Sequence, residues 1–120
     1  MSISIEQWNA KRETLAKFGQ LVTTSGIDYL TNTVPEFSKF VSVCLTRHFI
    51  GEYGEICKED EEQNRETVRK ENGCNIQSVW TYTAPHGQTK FWIITSGYGN
   101  NKRTKDPNAC YTTILKPSEY

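Results

Sequence analysis

The chain changes its hydrophobic period once, near Asn75, and that change sets what it can fold into. Before it, Phe37, Phe40, Val41, Cys44, Leu45 and His48 recur at intervals of three and four. Such a stripe belongs to an amphipathic helix, and Pro35 suits its first turn. After Asn75, "NIQSVWTYT" and "KFWIITSG" follow a two-residue alternation rich in β-branched and aromatic residues, with the turn-forming "APHGQT" between them. "CYTTILKP" reads as a further strand, stopped by Pro117. Helices first and antiparallel strands last predict an α+β domain. Three to four helices are expected to pack on one face of a three-stranded antiparallel sheet formed by the C-terminal half.

The remaining elements fit that frame. Ser4 followed by Gln7 makes a capping box, and Ile5, Trp8, Leu15 and Phe18 are spaced for a helix over about residues 4 to 18, closed near Gly19. "QLVTT" reads as a short strand or an extended lead-in, and Thr24 or Ser25 can cap a short helix through "GIDYLTN". "KEDEEQNRETVRKENG" carries acids at its start and bases at its end, which complements a helix dipole, and Glu61 with Arg65 and Glu66 with Lys70 are spaced for i,i+4 pairs. A single domain spans residues 1–120, with 1–19 as an N-terminal helical extension of a core over 20–120.

Charge and cysteine usage narrow the function classes. Fourteen basic and fourteen acidic side chains cancel, so no global field draws the chain to nucleic acid, although a local basic patch would. No segment approaches the length of a membrane span, and the N-terminus lacks the apolar core of a secretory signal. A cytoplasmic protein with no membrane partner is expected. Cys44, Cys57, Cys74 and Cys110 lie far apart with no C-x-x-C pair. Free thiols are expected, and neither a metal nor a cofactor, because a zinc site built with His48 or His86 ordinarily shows one closely spaced ligand pair.

Two groups of residues carry possible chemistry. In "TRHFIGEYGE", His48 with Glu52 or Glu55, supported by Arg47, Lys90 or Arg103, has the residue types of a metal-independent ribonuclease: an acid–base pair and a cation for the scissile phosphate. The same stretch also reads as structure, with His48 at a helix end, Gly51 as the helix stop and Tyr53 packed under the sheet. The loop "SGYGNNKRTKDPNA" sets Tyr98 beside Lys102, Arg103 and Lys105, a composition suited to phosphate or to an acidic protein surface. Asp60 and Asn64 share a helix face and read as solvated structure. Alternation places Trp80 and Tyr82 on one sheet face and Trp92 opposite Phe91. One aromatic face must be core, and the other is a platform for single-stranded nucleic acid or for a protein.

Taken in order, "RHFIGEYGE", Asp60 and Asn64, "SVWTY", "KFWIIT" and "TTILKPSEY" resemble a family of small proteins carried on bacterial plasmids and integrative elements. The resemblance covers about residues 20 to 120. Arg47, His48, Gly51, Tyr53 and Gly54 match its first motif, with Glu52 in place of aspartate and Tyr53 in place of tryptophan. Trp92 and Thr95 match its strand motif, and Thr112, Thr113, Pro117, Glu119 and Tyr120 its tail. The long basic loop replaces a short acidic turn carrying an arginine, for which Arg103 stands in. The order of elements also loosely resembles the barnase–RelE class of ribonuclease toxins. Carriage on mobile elements implies a non-catalytic accessory protein that binds a macromolecular partner, concretely an inhibitor of a host defence system. A protein partner is expected, through Arg47, His48, Tyr53, Tyr98, Lys102, Arg103 and Lys105, with nucleic acid possible through the basic loop. The alternative is the small ribonuclease using His48 with Glu52 or Glu55.

Overall fold

A computed structural model describes residues 17–71, 73–85, 87–100, 104–105 and 109–120. Of the helix expected over about residues 4 to 18, only Lys17 and Phe18 are described, in the turn that precedes Gly19; the rest lies outside the described residues. Among the described residues, strand β1 (Gln20–Thr23) leads into helices α1 (Ser25–Thr33) and α2 (Pro35–Phe49). Helix α3 (Lys58–Lys70) follows, then strands β2 (Ile76–Ala84), β3 (Gly87–Ser96) and β4 (Tyr111–Leu115), and a 3₁₀ turn at Pro117–Glu119.

The α+β class holds, and the sheet is larger than expected. It has four strands in the order β1-β4-β3-β2 and is mixed rather than purely antiparallel. β2, β3 and β4 form the antiparallel meander. β1 adds in parallel beside β4, with Gln20 opposite Tyr111 and Thr23 opposite Ile114. A four-residue strand is too short to show a period, and a parallel partner some ninety positions away leaves no turn signal between the two.

Alternation then sorts the side chains. Phe91 and Ile93 of β3, Trp80 of β2 and Ile114 of β4 face α1 and α2, where they meet Ile27, Phe37, Val41 and Cys44 in one buried cluster. Phe37 stands edge-on to both Phe91 and Tyr82. Each fully buried Phe or Ile here contributes about 1.5–3 kcal/mol by leaving water. A smaller cluster of Phe18, Tyr53, Ile76 and Tyr98 lies at the other end of the same face, with Phe49 and Ile56 packed against it.

The free edge of β2 is closed by side chain and loop. Asn64 of α3 donates from Nδ2 to the Gln77 carbonyl at 2.8 Å and accepts from the Gln77 N–H at 3.1 Å, so one amide group takes the place of a neighbouring strand. Two residues on, the Val79 N–H donates to the Tyr53 carbonyl and the Glu55 N–H to the Val79 carbonyl, a parallel bridge centred on Gly54. A sheet edge satisfied in this way cannot recruit another chain there.

Candidate functional site

His48 is the last inward residue of the α2 stripe, after Phe37, Val41 and Cys44. It lands over the sheet where three strands present hydroxyls instead of apolar side chains: Ser78 on β2, Thr95 on β3 and Thr112 on β4, all buried. Nδ1 lies 2.7 Å from Ser78 Oγ and Nε2 lies 3.0 Å from Thr95 Oγ1. The rings of Phe18, Phe49 and Tyr53 surround the imidazole edge-on. No part of His48 reaches solvent.

The direction of every hydrogen bond in this network follows from its two ends. Thr112 Oγ1 donates to the Phe18 carbonyl at 2.7 Å, which uses its proton. Thr95 must therefore donate to Thr112, at 2.8 Å, and accept from His48, which places the imidazole proton on Nε2. At the other end the Trp80 indole donates to Ser78 Oγ at 2.8 Å, leaving the serine proton for Nδ1. The chain runs Trp80, Ser78, His48, Thr95, Thr112, Phe18 carbonyl, with one proton per bond. A second proton on Nδ1 would meet the Ser78 hydrogen and strand it. Burial away from water pushes the His48 pKa down from 6.5 to about 3, so the imidazole is neutral at physiological pH.

The rest of "TRHFIGEYGE" ends one helix and guards a strand edge. Gly51, with φ +94°, turns the chain out of α2. The Arg47 guanidinium lies over the Trp80 ring and donates to Glu52 at 2.6 Å. Glu55 accepts from the Thr81 hydroxyl at 2.7 Å. Gly54, with φ +67°, runs so close to β2 that a Cβ would sit 2.1 Å from the Val79 carbonyl oxygen. Glu52 and Glu55 are thus engaged on the surface while His48 is engaged inside, and no hydrogen bond links them among the described residues. The ribonuclease reading requires a carboxylate, a cation and an accessible imidazole in one cleft. The fold does not bring His48, Glu52 and Glu55 together in that way, and Arg103 lies outside the described residues.

The other expected contact residues divide. Tyr53 and Tyr98 are buried, the second despite its place in the basic loop. Lys105 is exposed, with φ +60°. Lys102 and His86 lie outside the described residues, as does Arg103. Asn64 is buried as the edge clamp of β2, whereas Asp60 is exposed. All four cysteines are free thiols. Burial pushes the Cys44 thiol up to about 12, against a smaller opposing effect of Arg47, so it is inert. Among the described residues, no three His, Cys, Asp or Glu side chains cluster to hold a metal, and no helix is long and apolar enough to cross a membrane.

The sheet face turned away from the helices carries some of the exposed apolar groups, while Leu21, Tyr29, Val43, Ile50 and Val68 are exposed elsewhere. Val22 of β1 and Tyr111 of β4 are 42% and 45% exposed. Thr113 lies between them in register and half-buried, while Ile94 and Leu115 beside them are buried. Trp92 is half-buried with its ring edge-on to that of Tyr120, which is 83% exposed. β1 and β4 contain no charged residue.

Sequence reading named Thr95 and Thr112 only as motif positions and did not place them or Ser78 under His48, although a signal was present. Ser78 shares its parity with Ile76 and Trp80, and Thr95 with Phe91 and Ile93, so both point inward with the apolar residues. It named Glu119 only as part of the tail motif, without a role in the fold. That carboxylate accepts from the Thr24 hydroxyl at 2.7 Å and the Gly26 N–H at 2.9 Å, closing the N-terminus of α1 from the far end of the chain. No protein-family model, curated protein or solved structure compared with this chain matches it.

Proposed function

We propose that this protein is a non-catalytic binding protein whose partner is another protein, engaged by the outer sheet face along β1 and β4. The observation that carries the reading is the uncharged character of β1 and β4, Lys90 of β3 being an exposed cation further along the same face. Val22, Tyr111, Trp92 and Tyr120 offer apolar and aromatic area, and neither strand supplies a lysine or arginine. A nucleic-acid surface needs such cations to replace the counterions of the phosphates. An aromatic centre without charge is instead what protein interfaces concentrate. The resemblance to proteins of mobile elements makes a host defence protein the concrete candidate, inhibited by occlusion of its surface.

The test is a pull-down from nuclease-treated bacterial lysate with three baits: the natural chain, a Val22→Asp/Tyr111→Asp variant and a His48→Gln variant. The expected result is one stoichiometric protein retained by the first and third baits and lost from the second. A protein retained equally by all three, or retention that nuclease abolishes, refutes the reading. Degradation of added RNA by the natural chain but not by the His48→Gln variant would establish the ribonuclease in its place.

A further inference from the structure

A second site lies on the opposite side of the molecule from that face, where four separate segments meet around a small aromatic pocket. Phe18, Phe49, Tyr53, Val68 and Tyr98 line it, with Lys17 at its edge, and it encloses about 280 Å³. At roughly 30 Å³ per water that is space for about nine waters, or a ligand of similar heavy-atom count. Its walls come from the lead-in to β1, the end of α2 continuing into the loop after it, α3 and the loop after β3, so only the folded chain assembles it.

Two side chains in this pocket are chemically unfinished. Tyr53 and Tyr98 are 5% and 4% exposed, and each spends its ring in the small aromatic cluster. Neither hydroxyl has a hydrogen-bond partner among the described residues, and neither is sealed off as a buried orphan. A phenol that is nine-tenths buried normally finds a partner for its O–H. Here the opening left to both hydroxyls is the pocket they line. Gly51 also lines it and places no side chain before the Tyr53 hydroxyl, 4.0 Å from where a Cβ would be. Burial pushes both phenol pKa values up, so both hydroxyls keep their protons and remain donors. The two phenols are near enough to sense one another electrostatically. The ion pairs Lys17–Glu71 and Arg65–Glu61 flank them.

We infer that this pocket binds a small monocyclic ligand bearing a carboxylate or carbonyl oxygen, its ring held between Phe18, Phe49 and Val68 and its oxygen accepting from Tyr53 and Tyr98. Two donors lining an apolar wall select an oxygen acceptor on a flat apolar body, and a hydrocarbon lacking the oxygen would leave both phenols unmet. The site is independent of the protein-binding face.

The experiment uses the full chain, isotopically labelled, titrated with benzoate and separately with toluene while backbone amide resonances are followed. Benzoate is expected to shift Gly51, Tyr53, Val68 and Tyr98 with roughly millimolar affinity, as suits about nine heavy atoms. Tyr53→Phe and Tyr98→Phe keep the rings and the packing. The double variant is expected to bind benzoate about tenfold or more weakly, in line with hydrogen bonds to a charged group, with toluene binding unchanged. Val68→Trp is expected to fill the pocket and abolish both. Absence of benzoate shifts at tens of millimolar overturns the inference, as do shifts confined elsewhere or a double variant that binds benzoate like the natural chain.

Discussion

The neutral tautomer of His48 makes stability depend on pH in a defined window. In the unfolded chain the imidazole titrates at its ordinary value of 6.5, and in the fold it is held down to about 3. Above pH 6.5 it is neutral in both states and contributes no slope. Below that value the unfolded state binds a proton that the native state refuses, so stability falls as pH falls, by about 1.4 kcal/mol per unit. At about pH 4.5 the accumulated loss relative to neutral pH is about 2.7 kcal/mol. Against the roughly 6–18 kcal/mol expected of a domain this size, that loss is conspicuous. The depressed carboxyls of Glu66 and Glu119 add a loss of the same sign only below their ordinary value of 4.5, so the window above it reports the histidine. Urea denaturation followed by tryptophan fluorescence, at steps between about pH 7 and about pH 4.5, reads the slope directly. His48→Gln is expected to lower stability at neutral pH, because Ser78 loses its acceptor, and to flatten the profile. A natural chain with an unchanged urea midpoint across the window, or a variant with the same slope, would refute the tautomer chain. So would a His48 imidazole carbon resonance that titrates near 6.5 in the folded protein.

Other outcomes follow from single contacts. Asn64→Ala, which removes both bonds to Gln77, should cost about 2 kcal/mol by denaturant titration. Asn64→Asp should cost more above the carboxyl's own pKa, since its second oxygen would face the Gln77 carbonyl. Gly54→Ala places a Cβ against the Val79 oxygen at a positive φ and should destabilise by at least about 3 kcal/mol, if the variant folds at all. Glu119→Gln should lower the thermal midpoint at neutral pH. The Thr24 hydroxyl first, then the Gly26 amide, hold that carboxyl below its ordinary value. Its contribution is therefore present above about pH 4.5 and lost as pH falls through the folded value, so the two midpoints should converge in acid.

Local chemistry was legible and long-range pairing was not. The ends of α3 could be read from its acids and bases, and the β2–β3 hairpin from its alternation, because those signals lie within a few residues of one another. The parity of Trp80 and Phe91 against Trp92 likewise followed from a period of two. β1 was ambiguous because its partner is β4, and nothing in "QLVTT" encodes a parallel neighbour so distant. At Asn64 the residue type is common on helix surfaces, and its burial depends on where β2 arrives. His48 offered an accessible acid–base group or a satisfied structural one, and only the inward parity of Ser78 and Thr95 separated the two. Tyr98 belongs by sequence to a basic loop, yet its ring fills the corner beside Phe18.

The closure of β1 and α1 by residues 111–119 gives the molecule a timetable during synthesis. Thr24 and Glu119, bonded in the fold, are 95 positions apart. At 5–20 residues per second, a ribosome takes about 5–20 s to supply the second after the first. Throughout that interval Leu21 and Val22 have no β4 to join, and the first turn of α1 has no carboxylate to receive its amides. The sheet can grow from the β2–β3 hairpin outward, but the flank that carries Val22 and Tyr111 is completed only after Glu119 emerges. A nascent chain stalled before that point would present this flank unfinished, as a substrate for chaperones and proteases rather than as a docking surface.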